Sequence, residues 1–111
     1  MVVTGATLLD GTGRDPLAGA TIVIRGGTIA AVTPRGVPAP AGAERIDARG
    51  KWIIPGLIEA RTLGTLEPGK TADLVVLGAD PSLSISAIRQ IELVMRDGRI
   101  VWTSTAGVRS R

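Results

Sequence analysis

The sequence predicts an all-β fold, a small β-sandwich or partly closed barrel of seven or eight short strands. Three observations carry that prediction. Short runs of Val, Ile, Leu and Thr recur along the 111 residues, with Gly or Pro clusters between them. Two of the separations, Gly26-Gly27 and Asp97-Gly98, are two-residue connections of the composition that favours a type I′ hairpin turn. Sustained helical periodicity is missing: Ile85, Ile88 and Ile91 support one helical turn within residues 84–90 and no long helix.

The elements follow in order. Residues 2–9 are rich in Val, Leu and Thr and stop at Asp10-Gly11-Thr12-Gly13, a turn cluster, so they form a first strand. Residues 21–25 and 28–32 are the arms of the Gly26-Gly27 hairpin. Residues 34–42 contain three prolines and two glycines, which cannot hold a regular ladder and predict a surface loop. Two short strands at 44–47 and 51–54 flank Ala48-Arg49-Gly50, and Pro55-Gly56 ends the second. After the turn Glu67-Pro68-Gly69-Lys70, residues 72–77 are almost continuously apolar, the pattern of a strand covered on both faces. Asp80-Pro81 breaks that strand. Residues 91–96 and 99–102 are the arms of the second hairpin, and the polar residues 104–111 predict a frayed tail.

Composition fits one folded domain. The chain is 44% hydrophobic and 21% charged, with 15 Gly and 7 Pro, which suits many short elements and tight turns. Trp52 and Trp102 are its only aromatic residues, so the core is built from Val, Ile, Leu and Ala, each large aliphatic contributing about 1.5–3 kcal/mol on burial. The likeness of the two hairpins is too short for a repeat and is explained by equivalent positions in one sandwich.

Charge and motifs exclude several functions. The net charge of +3 comes from 11 Arg and 2 Lys set singly along the chain against 10 carboxylates, without the basic stripe or stacking aromatics of a nucleic-acid binder. No apolar run reaches the ~20 residues of a membrane span, and the first residues lack a signal-peptide pattern. The expectation is therefore a soluble cytoplasmic protein with neither nucleic-acid nor membrane partners. The chain has no Cys and no His, which removes thiolate chemistry, the commonest metal ligand and general base, and any Ser-His-Asp arrangement.

What remains is thin. Asp10, Asp15, Asp73 and Asp80 are oxygen ligands in type, but they stand beside turn residues, where Asp ordinarily serves the backbone, and their spacing matches no cation loop. Asp10-Gly11-Thr12-Gly13 matches neither phosphate-loop pattern and reads as a β-turn. Lys70 follows Pro68-Gly69 and reads as a solvated turn residue. Ser82, Ser84 and Ser86 have no base to activate them. Trp52 and Trp102, near strand ends, read as core or rim residues. No residue is assigned to catalysis, to a cofactor or to a metal.

Three stretches together resemble the N-terminal part of the metal-dependent amidohydrolase superfamily: Ala6-Thr7-Leu8-Leu9-Asp10-Gly11-Thr12-Gly13, the Gly26-Gly27 hairpin, and Ile46-Asp47-Ala48-Arg49-Gly50-Lys51-Trp52-Ile53-Ile54-Pro55-Gly56-Leu57-Ile58. The run Gly64-Thr65-Leu66-Glu67-Pro68-Gly69-Lys70-Thr71-Ala72-Asp73-Leu74-Val75-Val76-Leu77, with Asp80-Pro81 and the Asp97-Gly98 hairpin, is similar to the C-terminal part. The resemblance implies that both parts join in one split, or composite, β-sandwich, with residues 1–58 and 64–103 as its halves. It also implies a (β/α)₈ barrel of roughly 250 residues between them, where this chain has only residues 59–63. The family continues there with Asp-x-His-x-His, whose histidines bind metal. Aligned residue by residue, Glu59 falls on the Asp, Arg61 on the first His and Leu63 on the second; an equally fair alignment sets Arg61-Thr62-Leu63 beyond the barrel.

The reading is a non-catalytic structural domain, an engineered or relic amidohydrolase sandwich without its barrel. A module that docks onto a separate barrel or onto another copy of itself is the first alternative, and a small metal-dependent hydrolase the second. Ile53, Ile54, Leu57, Ile58 and Leu63 are the expected contributors to an apolar face bared by the missing barrel, and weak self-association is expected from it.

Overall fold

A computed structural model of the protein describes residues 1–35, 40–59, 62–83, 85–104 and 109–110. The chain is all-β. Its strands are β1 (Val2–Leu8), β2 (Leu17–Arg25), β3 (Thr28–Thr33), β4 (Arg45–Asp47), β5 (Trp52–Pro55), β6 (Leu57–Glu59), β7 (Thr62–Leu63), β8 (Leu74–Leu77), β9 (Ile91–Arg96), β10 (Arg99–Thr103) and β11 (Arg109–Ser110). One 3₁₀ turn, Ile85–Arg89, lies between β8 and β9. No helix among the described residues is long and apolar enough to cross a membrane.

β1 organises the sheet, because it has partners on both sides and changes one of them midway. Along one side it runs antiparallel to β2, from Val2↔Val23 to Leu8↔Leu17. Along the other, Val2–Thr4 pairs in parallel with Arg45–Asp47 of β4, and Thr7 and Leu8 then pair in parallel with Trp52 and Ile53 of β5. The register slips between Thr4 and Ala6, and Gly5 sits at the slip with φ +87°. A side chain there would run into the Arg49 side chain, which Asp47 holds through the guanidinium Nε at 3.1 Å and Nη2 at 2.8 Å. Glycine meets both demands, for backbone conformation and for space.

The main path runs β10-β9-β8-β5-β1-β2-β3, with β5–β8, β8–β9 and β9–β10 all antiparallel. The sheet then curls until its far edge meets the segment leading into β8. Ile29 N donates to the Lys70 carbonyl at 2.8 Å, Gly69 N donates to the Ile29 carbonyl at 2.9 Å, and Thr28 bridges to Thr71. This near-closure makes the sheet a small sandwich or partly closed barrel. Its interior holds Val3, Ile22, Ile29, Ile46, Ile53, Leu74, Val76, Leu93 and Met95, all at most 1% exposed.

Both hairpin turns are of the expected type. Gly26 and Gly27 have φ +58° and +82°, and Asp97 and Gly98 +54° and +73°, positive at both central positions as type I′ requires. The two tips also touch: a Cβ on Gly98 would lie 2.8 Å from Gly27 Cα.

All eight predicted strands are present, and four details are corrected. β2 starts at Leu17, before the β-branched run at residues 21–25. Glu59, Thr62 and Leu63 of the expected short connection belong to a small hairpin of β6 and β7 (Leu57↔Leu63, Glu59↔Thr62). In the expected frayed tail, the described residues are held: Ser104 N donates to the Glu92 carbonyl at 2.9 Å and Arg109–Ser110 pairs with Asp47 and Ile46 of β4. Ile53 belongs to the core at 0% exposure and Trp102, 49% exposed, does not; Trp52 is half-buried at the rim. Residues 36–39 of the predicted loop lie outside the described residues.

Candidate functional site

The place to look for chemistry is where the resemblance puts the metal motif, between β5 and the strands of the second half. β5 ends at Pro55, and Gly56 N donates to the Asp73 carbonyl at 2.9 Å, still following the edge of β8. The chain then turns through the β6–β7 hairpin and comes straight back. Gly64 N donates to the Gly56 carbonyl at 3.2 Å, and Leu66 N to the Asp10 carbonyl at 2.9 Å. Glu59 and Leu63 occupy strand positions in that hairpin, Arg61 lies outside the described residues, and the side chains of Leu57, Ile58 and Leu63 fall outside the described set.

Of the four candidate carboxylates, Asp10 and Asp15 line one cavity and Asp73 and Asp80 do not. Asp10 Oδ1 accepts the Thr12 backbone N–H at 3.0 Å and the Thr12 hydroxyl at 2.6 Å. Asp80 Oδ1 accepts the same pair from Ser82, at 2.9 Å and 2.6 Å. Both are Asx turns, in which the carboxylate takes the role of a backbone acceptor. Asp73 Oδ1 accepts Asp97 N at 2.8 Å, across 24 residues of chain. Asp15 lines an open cavity of about 360 Å³ with Leu8, Asp10, Leu17, Leu66 and Glu67 among its walls. Among the described residues no group of three or more Asp or Glu is placed to hold a metal.

Electrostatics agrees with a turn at Asp10. Burial alone would raise its pKa; the Thr12 hydrogen bonds, with Arg14 nearby, outweigh that and hold the carboxyl below its usual value. A carboxyl tuned for acid–base work at neutral pH is pushed the other way. Arg49 is held further into its charged form by its hydrogen bonds to Asp47 and the adjacent negative charge.

Lys70 is an exposed turn residue whose N–H donates to the Glu67 carbonyl at 3.0 Å. The Ser82 hydroxyl is spent on Asp80, Ser86 is exposed, and Ser84 lies outside the described residues. Two ties were not read from the sequence. Lys51 Nζ meets Glu92 Oε2 at 2.9 Å, both side chains being mostly covered at 29% and 15% exposure. Ala72 joins the two hairpin tips, its N–H donating to the Gly27 carbonyl at 2.9 Å and its carbonyl accepting Gly98 N at 3.0 Å. The sign of the second lay in the run Lys70-Thr71-Ala72-Asp73, where a small residue precedes an acceptor at the start of an apolar strand.

Against known proteins, the chain is 38% identical over 60 residues to a 5-methylthioadenosine/S-adenosylhomocysteine deaminase of Symbiobacterium thermophilum, a match covering 52% of this chain and 14% of the deaminase. Its likeness to an amidohydrolase is partial. Uncharacterized proteins of Mycobacterium bovis and Mycobacterium tuberculosis are 36% identical over 62 residues, covering 56% of this chain and 10% of theirs. The chain thus spans between a tenth and a seventh of the length of these relatives. No protein-family profile matches it, and no solved structure does.

Proposed function

We propose that this chain is a non-catalytic structural domain: the composite β-sandwich of an amidohydrolase-like protein, in an engineered or relic form without the catalytic barrel. The observation that carries the reading is the Gly64 N–H donated to the Gly56 carbonyl at 3.2 Å. Where the resemblance calls for a barrel of roughly 250 residues, this bond closes the chain back on itself within eight positions, beside the β5–β8 ladder that joins the two halves. The chemistry left behind supports it. The chain has no His, and its candidate acids Asp10, Asp73 and Asp80 are occupied in turns or between hairpins. A hydrolase needs a nucleophile, a base and a stabiliser around one point, and these residues do not converge on one. No cofactor follows from the reading.

Turnover assays test it. The purified chain, alone and loaded with Zn²⁺ or Mn²⁺, is incubated with 5-methylthioadenosine, S-adenosylhomocysteine and a panel of amides and cyclic amides. No turnover above the metal-only blank is expected. Activity that comigrates with the protein and recurs in a second, independent preparation overturns the reading in favour of a small metal-dependent hydrolase.

A further inference from the structure

The two hairpin tips border a cavity whose charge is not balanced. Gly26 and Gly27 of the β2–β3 tip line it on one side, and Arg96, Asp97 and Arg99 of the β9–β10 tip, with Val101, on the other; the space is about 760 Å³ and open to solvent. Arg96 and Arg99 are direct cross-strand partners, so their side chains leave the same face of the sheet, opposite to the buried Met95. Like charges set directly opposite each other destabilise a strand pair, and neither guanidinium has an ion-pair or hydrogen-bond partner among the described residues. The Asp97 carboxylate is the single negative charge in the described wall, and no ion pair joins it to either arginine. Asp73, which reaches this tip, commits Oδ1 to the Asp97 N–H at 2.8 Å. The backbone also has donors to offer. Ala72 takes up the Gly27 carbonyl and the Gly98 N–H, whereas the N–H groups of Gly26 and Gly27 have no acceptor among the described residues. A Cβ on Gly27 would lie 2.8 Å from the Asp97 carbonyl oxygen, so packed backbone fixes the two tips against each other.

We propose that this cavity binds the phosphoryl group of a small phosphate ester. Two guanidiniums on one face present planar N–H forks that match phosphate oxygens, and the Gly26 and Gly27 N–H groups add neutral donors to the same wall. A phosphoryl group carries about −1.5 to −2 charges at neutral pH, enough to neutralise both arginines, whereas a carboxylate neutralises one. Val101, 57% exposed, gives the organic part of the ester an apolar surface beside the charged one. The space is also of the order of ordinary small-molecule sites, about 300–1,000 Å³. Binding relieves the repulsion between Arg96 and Arg99, so the ligand stabilises the fold as it binds. The proposal stands apart from the lack of catalysis, which the turnover assays test separately.

Backbone amide and arginine Nε–H chemical shifts of the isotope-labelled chain, followed through titrations with inorganic phosphate and with phenyl phosphate at fixed ionic strength, decide it. The expected result is saturable shifts at the Gly26, Gly27 and Gly98 amides and at the Arg96 and Arg99 Nε–H groups. Phenyl phosphate should bind the more tightly of the two, shift the Val101 amide as well, and raise the thermal unfolding midpoint. Arg96→Gln and Arg99→Gln, each checked by circular dichroism for retained fold, should weaken binding by about tenfold or more. Arg89→Gln, which removes the same charge from an exposed residue outside the cavity, should leave it within about twofold. Shifts that never saturate and spread over all the basic residues overturn the proposal. So does saturable binding that both cavity variants leave intact, or binding of inorganic phosphate with phenyl phosphate excluded.

Discussion

Asp73 caps a turn to which it does not belong. It precedes β8, yet its carboxylate accepts Asp97 N at the tip of the β9–β10 hairpin at 2.8 Å. A charged acceptor of this kind contributes about 1.5–3 kcal/mol, and Asp73→Ala should lose that much in denaturant unfolding. Asp15→Ala, at an exposed carboxylate, should stay within about 0.5 kcal/mol of the parent. The glycines at the hairpin tips separate two effects. Gly26→Ala meets nothing within 4 Å and bears only the left-handed backbone at φ +58°, whereas Gly98→Ala also sets a Cβ 2.8 Å from Gly27 Cα. The first should cost about 1–2 kcal/mol and the second clearly more, measured in the same unfolding series. Asp10 adds a pH dependence of known sign. Its folded pKa lies below the ordinary value of 3.8, so its contribution is fully present above the unfolded pKa and disappears as pH falls through the folded one. The stability gap between the parent and Asp10→Asn should therefore persist at neutral pH and close below about pH 4.

At the scale of the element, the β6–β7 hairpin is a separate two-stranded sheet beside the main one, and the chain between Glu59 and Thr62 is a place to test it by insertion. Eight Gly and Ser residues inserted there lengthen a loop whose ends are already held by β5–β8 pairing. The closure entropy amounts to only about 1–1.5 kcal/mol, so the insertion should leave the β spectrum intact and lower the unfolding midpoint modestly. The eight principal strands were legible because each carries its own signal, a β-favouring run ended by Gly or Pro. β6, β7 and β11 were not. Segments of two or three residues have no period to read, and they become strands only because the fold delivers a partner: β4 for Arg109–Ser110, and each other for β6 and β7. The turn roles of Asp10 and Asp80 were legible for the same local reason, since Thr12 and Ser82 lie two residues on. The Lys51–Glu92 pair spans 41 residues and cannot be seen along one strand.

At the scale of the molecule, the buried residues described form one core cluster. The radius of gyration of the chain is 12.6 Å, against about 13 Å for a single compact domain of this length. Neither half has a core of its own, because Ile22, Ile29 and Ile53 pack in one cluster with Leu66, Leu74, Val76 and Met95. Far-ultraviolet circular dichroism and Trp fluorescence should therefore report one β spectrum and one coincident thermal transition, and a peptide ending at Glu59 should be unfolded alone. The β5–β8 seam also sets the order of events when the chain folds. The hairpins at Gly26-Gly27 and Asp97-Gly98 need only neighbours in sequence and form in about 1–10 μs. The seam, with its Leu66–Asp10 and Thr28–Thr71 crossings, joins residues some 20 to 60 positions apart. Contacts of that range place two-state β proteins in the millisecond-to-second regime. The rate-limiting step is then the meeting of two preformed meanders, and substitutions at the seam, such as Ile53→Val or Val76→Ala, should slow refolding, while the hairpin-tip substitution Gly98→Ala should chiefly quicken unfolding.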